Sequence, residues 1–356
     1  MSFLDTVDPP PHRIVELKDE RIGLDAVVVI DHDLFPRSAG GTRMIADVTT
    51  DEVARLARAM TWKLAVAEAP MAGAKAGVRF AGGDDRDAVL TAFLDRAAEI
   101  DGFLTGPDIG TYPDDFAARI EGDEAPMWSR SHDGMDMDDL AVGHGILGAA
   151  RVALERLGRR VPGATVAIEG FGKAGAGTAK AAAGAGMRVV AVSTVHGALV
   201  DENGLDVAEL LALKAEHGDQ LVDHAPVPSQ QREAVFNTEC DVLVPGARPD
   251  VITAASAETL RCGAVIPAAN IPYAQGAIEA LAARDILALP DFVTNAGGVH
   301  LYEAPGCKDD PTACLREIER LVGETVTRIL DAGASTPTAA AHALARQFLT
   351  ASAAAK

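Results

Sequence analysis

From His12 to His32 the segment HRIVELKDERIGLDAVVVIDH alternates apolar and polar positions, which predicts two antiparallel strands around a turn. The period then lengthens. Thr49-x-x-Glu52 has capping-box spacing, and Val53, Leu56, Met60 and Leu64 fall on one face of a helix running toward Ala67 and stopped by Pro70. The small-residue stretch MAGAKAG (71–77) reads as a loop leading into a short strand near Val78. A helix is predicted from Asp87 to Glu99, and a strand from Phe103 that runs out in the loop TGPDIGT. Residues 121–140 have no usable period and many turn formers, which predicts a mobile segment ahead of a hinge.

From about Gly143 the character changes. A helix through Leu157 leads to strand ATVAIEG, a glycine-rich turn, helix 174–186 and strand MRVVAVS, with further strands in DVLVPG, GAVIPAA and DILALP. Strands alternating with helices predict a parallel, doubly wound α/β sheet. Two alanine-rich helices, 313–332 and 336–352, close the chain with no strand after them.

Composition narrows the function classes. The 356 residues suit two domains, each able to bury a core. Although 48% are hydrophobic, no stretch approaches 18 apolar residues without a charge, so no membrane partner is expected. The first residues lack a basic-then-apolar leader pattern. Four cysteines without a CxxC pair predict neither a disulfide framework nor a zinc site, and fit a reducing cytoplasm. The acidic cluster Asp133, Asp136, Asp138 and Asp139 lacks a metal-loop pattern and reads as a solvated loop, so no metal is expected. A formal charge of −20 argues against a nucleic-acid partner, which requires a basic face.

Two stretches carry candidate chemistry. Gly170-Phe171-Gly172-Lys173-Ala174-Gly175 is G-x-G-x-x-G, weak alone but here set between an apolar strand and a helix. Such glycines allow a tight turn and close approach of a pyrophosphate to a helix N-terminus, which predicts NAD or NADP as cofactor. The next strand ends at Thr194, where a NAD-preferring site usually has an acid, so the choice between the two stays open and His196 or Lys173 could meet a 2′-phosphate. In the N-terminal half, Lys63 and Lys75 flank small-residue loops and Asp108 follows a strand. Burial and a neighbouring cation are what turn a lysine into a general base. On spacing alone, a structural lysine paired with an acid is the better explanation of the pattern.

The ordered segments Gly40-Gly41-x-Arg43, DEVARLARAMTWK, PMAGAKAG, TGPDIGT, VAIEGFGKAG, CDVLVPGA, AAN-x-P and PDFVTNAGGV resemble the glutamate/leucine/phenylalanine/valine dehydrogenase family over nearly the whole chain. The resemblance implies reversible NAD(P)-dependent oxidative deamination of an L-amino acid to a 2-oxo acid and ammonia. It implies Lys75 as catalytic base, Asp108 as proton relay, and Lys63 with Gly41 at the substrate. It further implies Ala247, Asn270 and Asn295 beside the cofactor with the glycine loop and Thr194. The implied layout is a catalytic and oligomerisation domain (1–140), a Rossmann-type domain (141–312) and C-terminal helices (313–356) packing back across both, in a cytoplasmic homo-oligomer.

Four departures stand against that pattern. Ala72 and Ala76 replace glycines of the lysine segment, which is expected to narrow the substrate's approach. Val142 stands where a threonine usually meets the nicotinamide amide, and Thr194 replaces the acid. Ala54 stands where glutamate-specific members carry a lysine for the distal carboxylate, which favours an apolar or otherwise different side chain. The substrate is therefore glutamate or an apolar amino acid: the Gly40–Lys63 spacing fits the glutamate branch, whereas GGTRM and the length fit the leucine/phenylalanine branch. A catalytically silent nucleotide-binding paralogue with a regulatory or scaffold role is the alternative.

Overall fold

The structure, a computed structural model, describes residues 9–83, 85–119, 127–303, 307 and 310–355. The chain forms two compact units, one of Met1–Ser129 with His342–Lys356, the other of Arg130–Ala341.

The first unit is built on a five-stranded sheet of β1 (Arg13–Asp19), β2 (Leu24–Ile30), β3 (Ser38–Ile45), β4 (Ala72–Arg79) and β5 (Phe103–Pro107), in the order β1-β2-β4-β3-β5. β1 and β2 form the expected antiparallel pair, with Asp19 opposite Leu24. β3 runs parallel to both β4 and β5. Helix α1 (Thr50–Val66) covers one face and α2 (Arg86–Ala97) contributes to the core on the other. Thr49 caps α1 by accepting from the Glu52 N–H, but the Glu52 carboxylate turns to Arg43 instead of closing the capping box. The segment MAGAKAG, expected to be a loop, is most of the central strand β4. Its alanines and glycines have low strand propensity, yet only such small residues let α1 lie directly on the sheet: a Cβ on Gly73 would overlap the Thr61 N–H and the Ala57 carbonyl.

In the second unit a short hairpin of β6 (Ser131–His132) and β7 (Met135–Asp136) precedes α3 (Met137–Arg156). Of the segment expected to be mobile, 121–126 lies outside the described residues, and α3 begins earlier than the sequence pattern predicted. Then come β8 (Thr165–Glu169), α4 (Lys173–Gly184), β9 (Arg188–Ser193), β10 (Ala198–Val200) and helices α5 (Val207–His217), α6 (Leu221–His224) and α7 (Ala234–Asn237). β11 (Cys240–Pro245), α8 (Ala254–Ala257), β12 (Cys262–Val265), α9 (Ala277–Ala282) and β13 (Leu287–Ala288) complete the sheet, ordered β10-β9-β8-β11-β12-β13. All its pairings are parallel except that of the edge strand β10. This is the expected Rossmann-type sheet. Short α10 (Asp291–Thr294) and α11 (Gly297–Glu303) lead to α12 (Pro311–Asp331), which packs on α3. His144 of α3 meets Glu319 of α12 at 3.3 Å, and Arg151 pairs with the same carboxylate.

A disulfide joins Cys307 to Cys314, a bond the sequence reading did not anticipate, while Cys240 and Cys262 are free thiols. The unit boundary falls inside α13 (Pro337–Ala354). Its later residues complete the first unit: His342 stands edge-on to Trp62, Arg346 lies over the same indole, and Phe348 packs on Phe35.

Candidate active site

In β4 alternate side chains take opposite faces. Ala72, Ala74, Ala76 and Val78 enter the core shared with Val89, Leu90 and Phe93. Gly73, Lys75 and Gly77 face the other way, toward α1, where a Cβ on Gly77 would press on Val53 and Val48. The methyls of Ala72 and Ala76 therefore fill a core on the face away from Lys75. They do not narrow the approach to it, contrary to the expectation from sequence.

Lys75 is buried, its side chain 8% exposed, and it reaches across the neighbouring strand β3 to Asp108, just past the end of β5. Nζ and Oδ2 are 3.0 Å apart. The crossing passes over Gly41: a Cβ there would lie 3.3 Å from Lys75 Nζ, 3.0 Å from Asp108 Cβ and 2.7 Å from the Pro107 carbonyl oxygen. A bare backbone at this position is thus what lets the lysine span the strand.

Asp108 is held by its own loop. Its N–H donates to Thr111 Oγ1 at 2.9 Å, and the fully buried Thr111 hydroxyl donates to the Thr42 carbonyl at 2.8 Å. Gly110, with φ 80°, turns beneath it against Met44. Burial works to raise the pKa of the Asp108 carboxyl, but Lys75 and Arg43 outweigh it and hold the group below the usual carboxylate range. Arg43, part of a recognised motif but given no role from sequence, donates from Nε to Asp108 Oδ2 at 3.1 Å. Lys63 is half-buried in the last turn of α1, two residues beyond Thr61, which abuts β4 at Gly73.

The second unit carries the glycine loop. Gly170 adopts φ 87°, and a Cβ on it would crowd Ala247 Cβ at 2.6 Å. Gly172 caps α4 and has nothing within 4 Å of where its Cβ would be, while a Cβ on Gly175 would overlap the Gly170 carbonyl. Turn, open approach and tight helix–strand packing are the three uses a dinucleotide loop makes of its glycines. Phe171 is buried, with its N–H on the Ser193 carbonyl and its own carbonyl accepting from Lys214 Nζ at 2.7 Å. Lys214 was invisible to the sequence reading, since nothing in its helix marks it. Lys173 and Ala174 open α4.

Thr194 is buried and its hydroxyl accepts from the His196 N–H, tying its own turn. At the carboxyl ends of β8, β11 and β12 the remaining predicted residues come together. Glu169 accepts from the Gly246 and Ala247 N–H groups, with burial pushing its carboxyl up. Asn295 donates to the Ala268 and Ala269 carbonyls and, at 3.0 Å, to Asn270 Oδ1. Asn295 Oδ1 is buried with no hydrogen-bond partner among the described residues. An open, helix-capping Gly172 and an unsatisfied acceptor at the strand ends fit a dinucleotide with an amide-bearing ring. Val142 lies where α3 meets this group, for a Cβ on Gly297 would touch the Val142 N–H and overlap the Ala141 carbonyl.

Comparison with known proteins finds matches along both units of the chain. Residues 134–303 match the Glutamate/Leucine/Phenylalanine/Valine dehydrogenase profile, and residues 13–121 match the Glu/Leu/Phe/Val dehydrogenase dimerisation domain. A glutamate dehydrogenase of Thermotoga maritima is 34% identical over 278 residues, 73% of this chain and 67% of the relative. An NADP-specific glutamate dehydrogenase of Saccharolobus shibatae is 27% identical over 325 residues, 83% of this chain and 76% of the relative. The structure of a hetero-hexameric glutamate dehydrogenase from Thermus thermophilus, in a Leu-bound form, superposes with a TM-score of 0.82 at 26% identity, covering 96% of this chain and 89% of that one. The chain belongs to the glutamate/leucine/phenylalanine/valine dehydrogenase family, the NAD(P)-dependent amino-acid dehydrogenases.

Proposed function

We propose that the protein carries out reversible oxidative deamination of an L-amino acid, with Lys75 and Asp108 as its catalytic residues and Lys63 and Gly41 at the substrate. The observation that carries this reading is the buried Lys75–Asp108 contact laid over the bare backbone of Gly41. Lys63 anchors the substrate α-carboxylate. Asp108 takes a proton from the substrate amine and returns it in the reverse direction. Lys75, once deprotonated, activates the water that attacks the imine carbon, so the imine is hydrolysed to a 2-oxo acid and ammonia. The nicotinamide supplies the acceptor for the α-hydride. The loop Gly170–Gly175, with Phe171, Lys173 and Ala174, together with Thr194, Ala247, Asn270 and Asn295, would hold the dinucleotide.

Glutamate is the first substrate to test, as in the name of the Thermotoga relative, and leucine the second, as in the ligand of the Thermus structure. Both NAD and NADP belong in the assay. The match to a dimerisation domain supports a homo-oligomer. Among the described residues no helix is long and apolar enough to cross a membrane, and our reading places the enzyme in the cytoplasm.

The test is to follow reduced-cofactor absorbance with either dinucleotide and a panel of L-amino acids. Turnover should appear for one class and fall by about 10³-fold in Lys75→Ala, the scale of a lost general base. Turnover that survives in Lys75→Ala would sink the mechanism. Cofactor binding without turnover of any amino acid or oxo acid would favour the silent paralogue.

A further inference from the structure

Arg43 stands on β3 two residues beyond Gly41 and acts on the same oxygen as the lysine. Its Nε donates to Asp108 Oδ2 at 3.1 Å, where Lys75 Nζ approaches to 3.0 Å, and its Nη1 donates to Glu52 Oε1. Four charges therefore alternate in a line, Lys75–Asp108–Arg43–Glu52, with the lysine side chain 8% exposed and that of Glu52, at the outer end, 28%. Both cations converge on Oδ2.

We propose that Arg43 is a positioning residue that pins Asp108 through Oδ2, fixing the carboxylate for proton exchange with the substrate amine, and shares the carboxylate's charge with Lys75. This rests on the roles given above to Lys75 and Asp108. Arg43 is suited to the task because a guanidinium stays charged at every working pH and binds in a fixed plane. Without it the whole anion would face Lys75. Removing a permanent cation from beside Oδ2 makes the Asp108 carboxylate hold its proton more tightly. Glu52 anchors the far side of Arg43, and its removal has the opposite electrostatic sign.

The test is to measure kcat and KM against pH in the deaminating direction for Arg43→Gln, Arg43→Lys and Glu52→Gln, with Asp108→Asn as control. Arg43→Gln should lower kcat roughly 10- to 100-fold, leave the amino-acid KM within about threefold, and move the acid limb of kcat/KM up by about one pH unit. Arg43→Lys should return the limb to its wild-type position while recovering only part of kcat, because an ammonium lacks the planar fork. Glu52→Gln should move the limb to lower pH. An Arg43→Gln enzyme whose kcat falls while its limb stays in place would reduce Arg43 to a structural residue and overturn the proposal. If Arg43→Gln fails to fold, Glu52→Gln decides, and a limb that is unmoved or raised is the refuting result. Asp108→Asn at wild-type turnover would instead remove the reading of Asp108 itself, whereas an inactive Asp108→Asn with an unmoved Arg43→Gln limb would remove only the role of Arg43.

Discussion

The three glycines of the nucleotide loop separate at the level of single atoms, and the difference is measurable. Gly172 opens on space and Gly175 on the Gly170 carbonyl, so alanine has different consequences at each. Gly172→Ala should leave the melting temperature within about a degree and weaken NAD(P)H binding by roughly 10-fold or more, since its methyl occupies the approach of the pyrophosphate. Gly175→Ala should cost about 1–3 kcal/mol of stability, because backbone has to move to admit the methyl. Fluorescence titration and thermal melts check both, and wild-type binding by Gly172→Ala would refute the assignment of the loop. These glycines were legible in sequence because the pattern is local. Lys214 and Arg43 were not given roles, as their partners lie 43 and 65 positions away and no spacing rule connects them.

Among the elements, the central strand of the first unit was the least legible, and for a physical reason. A strand buried on both faces has no alternation to read, and its alanines and glycines score poorly as strand formers. Their use shows only in the packing: glycines beneath α1, alanines in the opposite core. Gly73→Val should therefore lift α1 off the sheet and destabilise the protein by about 1–3 kcal/mol or more. Ala76→Gly should cost about 1–2 kcal/mol through a lost buried methyl and a looser strand, with kcat within twofold of wild type. Calorimetry and steady-state assays decide it; a changed kcat in Ala76→Gly would restore the view that this departure tunes the active site. The start of α3 was misread for a related cause. Asp138 and Asp139 look like loop residues by composition, yet acids in the first turn complement the helix dipole. By contrast, α1, the first hairpin and the alternating order of the second unit followed from periodicity alone.

At the scale of the whole molecule, the buried titratable groups make the two units respond differently to acid. Burial pushes His32 in the first unit and His300 in the second down to about 4. Between about pH 6.5 and 4 the unfolded chain binds protons that these folded sites refuse, so stability falls as pH drops through that window, by up to about 3 kcal/mol each. Asp139, in the second unit, is pushed up to about 7 by burial and by Asp138. Its native form binds the extra proton between about pH 7 and 4, so it contributes stability as pH falls and offsets His300. Asp108, held low in the first unit, adds to that unit's loss at lower pH. The first unit should lose protection before the second on going from pH 7 to 5, as hydrogen exchange read by mass spectrometry would show; the reverse order would contradict these assignments. Because the second unit is a continuous insertion and the first is closed by residues 342–356, the two differ during synthesis. On the ribosome the later-encoded unit has all its residues while the earlier one still waits for the segment that seats against Trp62 and Phe35, so the part of the enzyme made first is the part completed last.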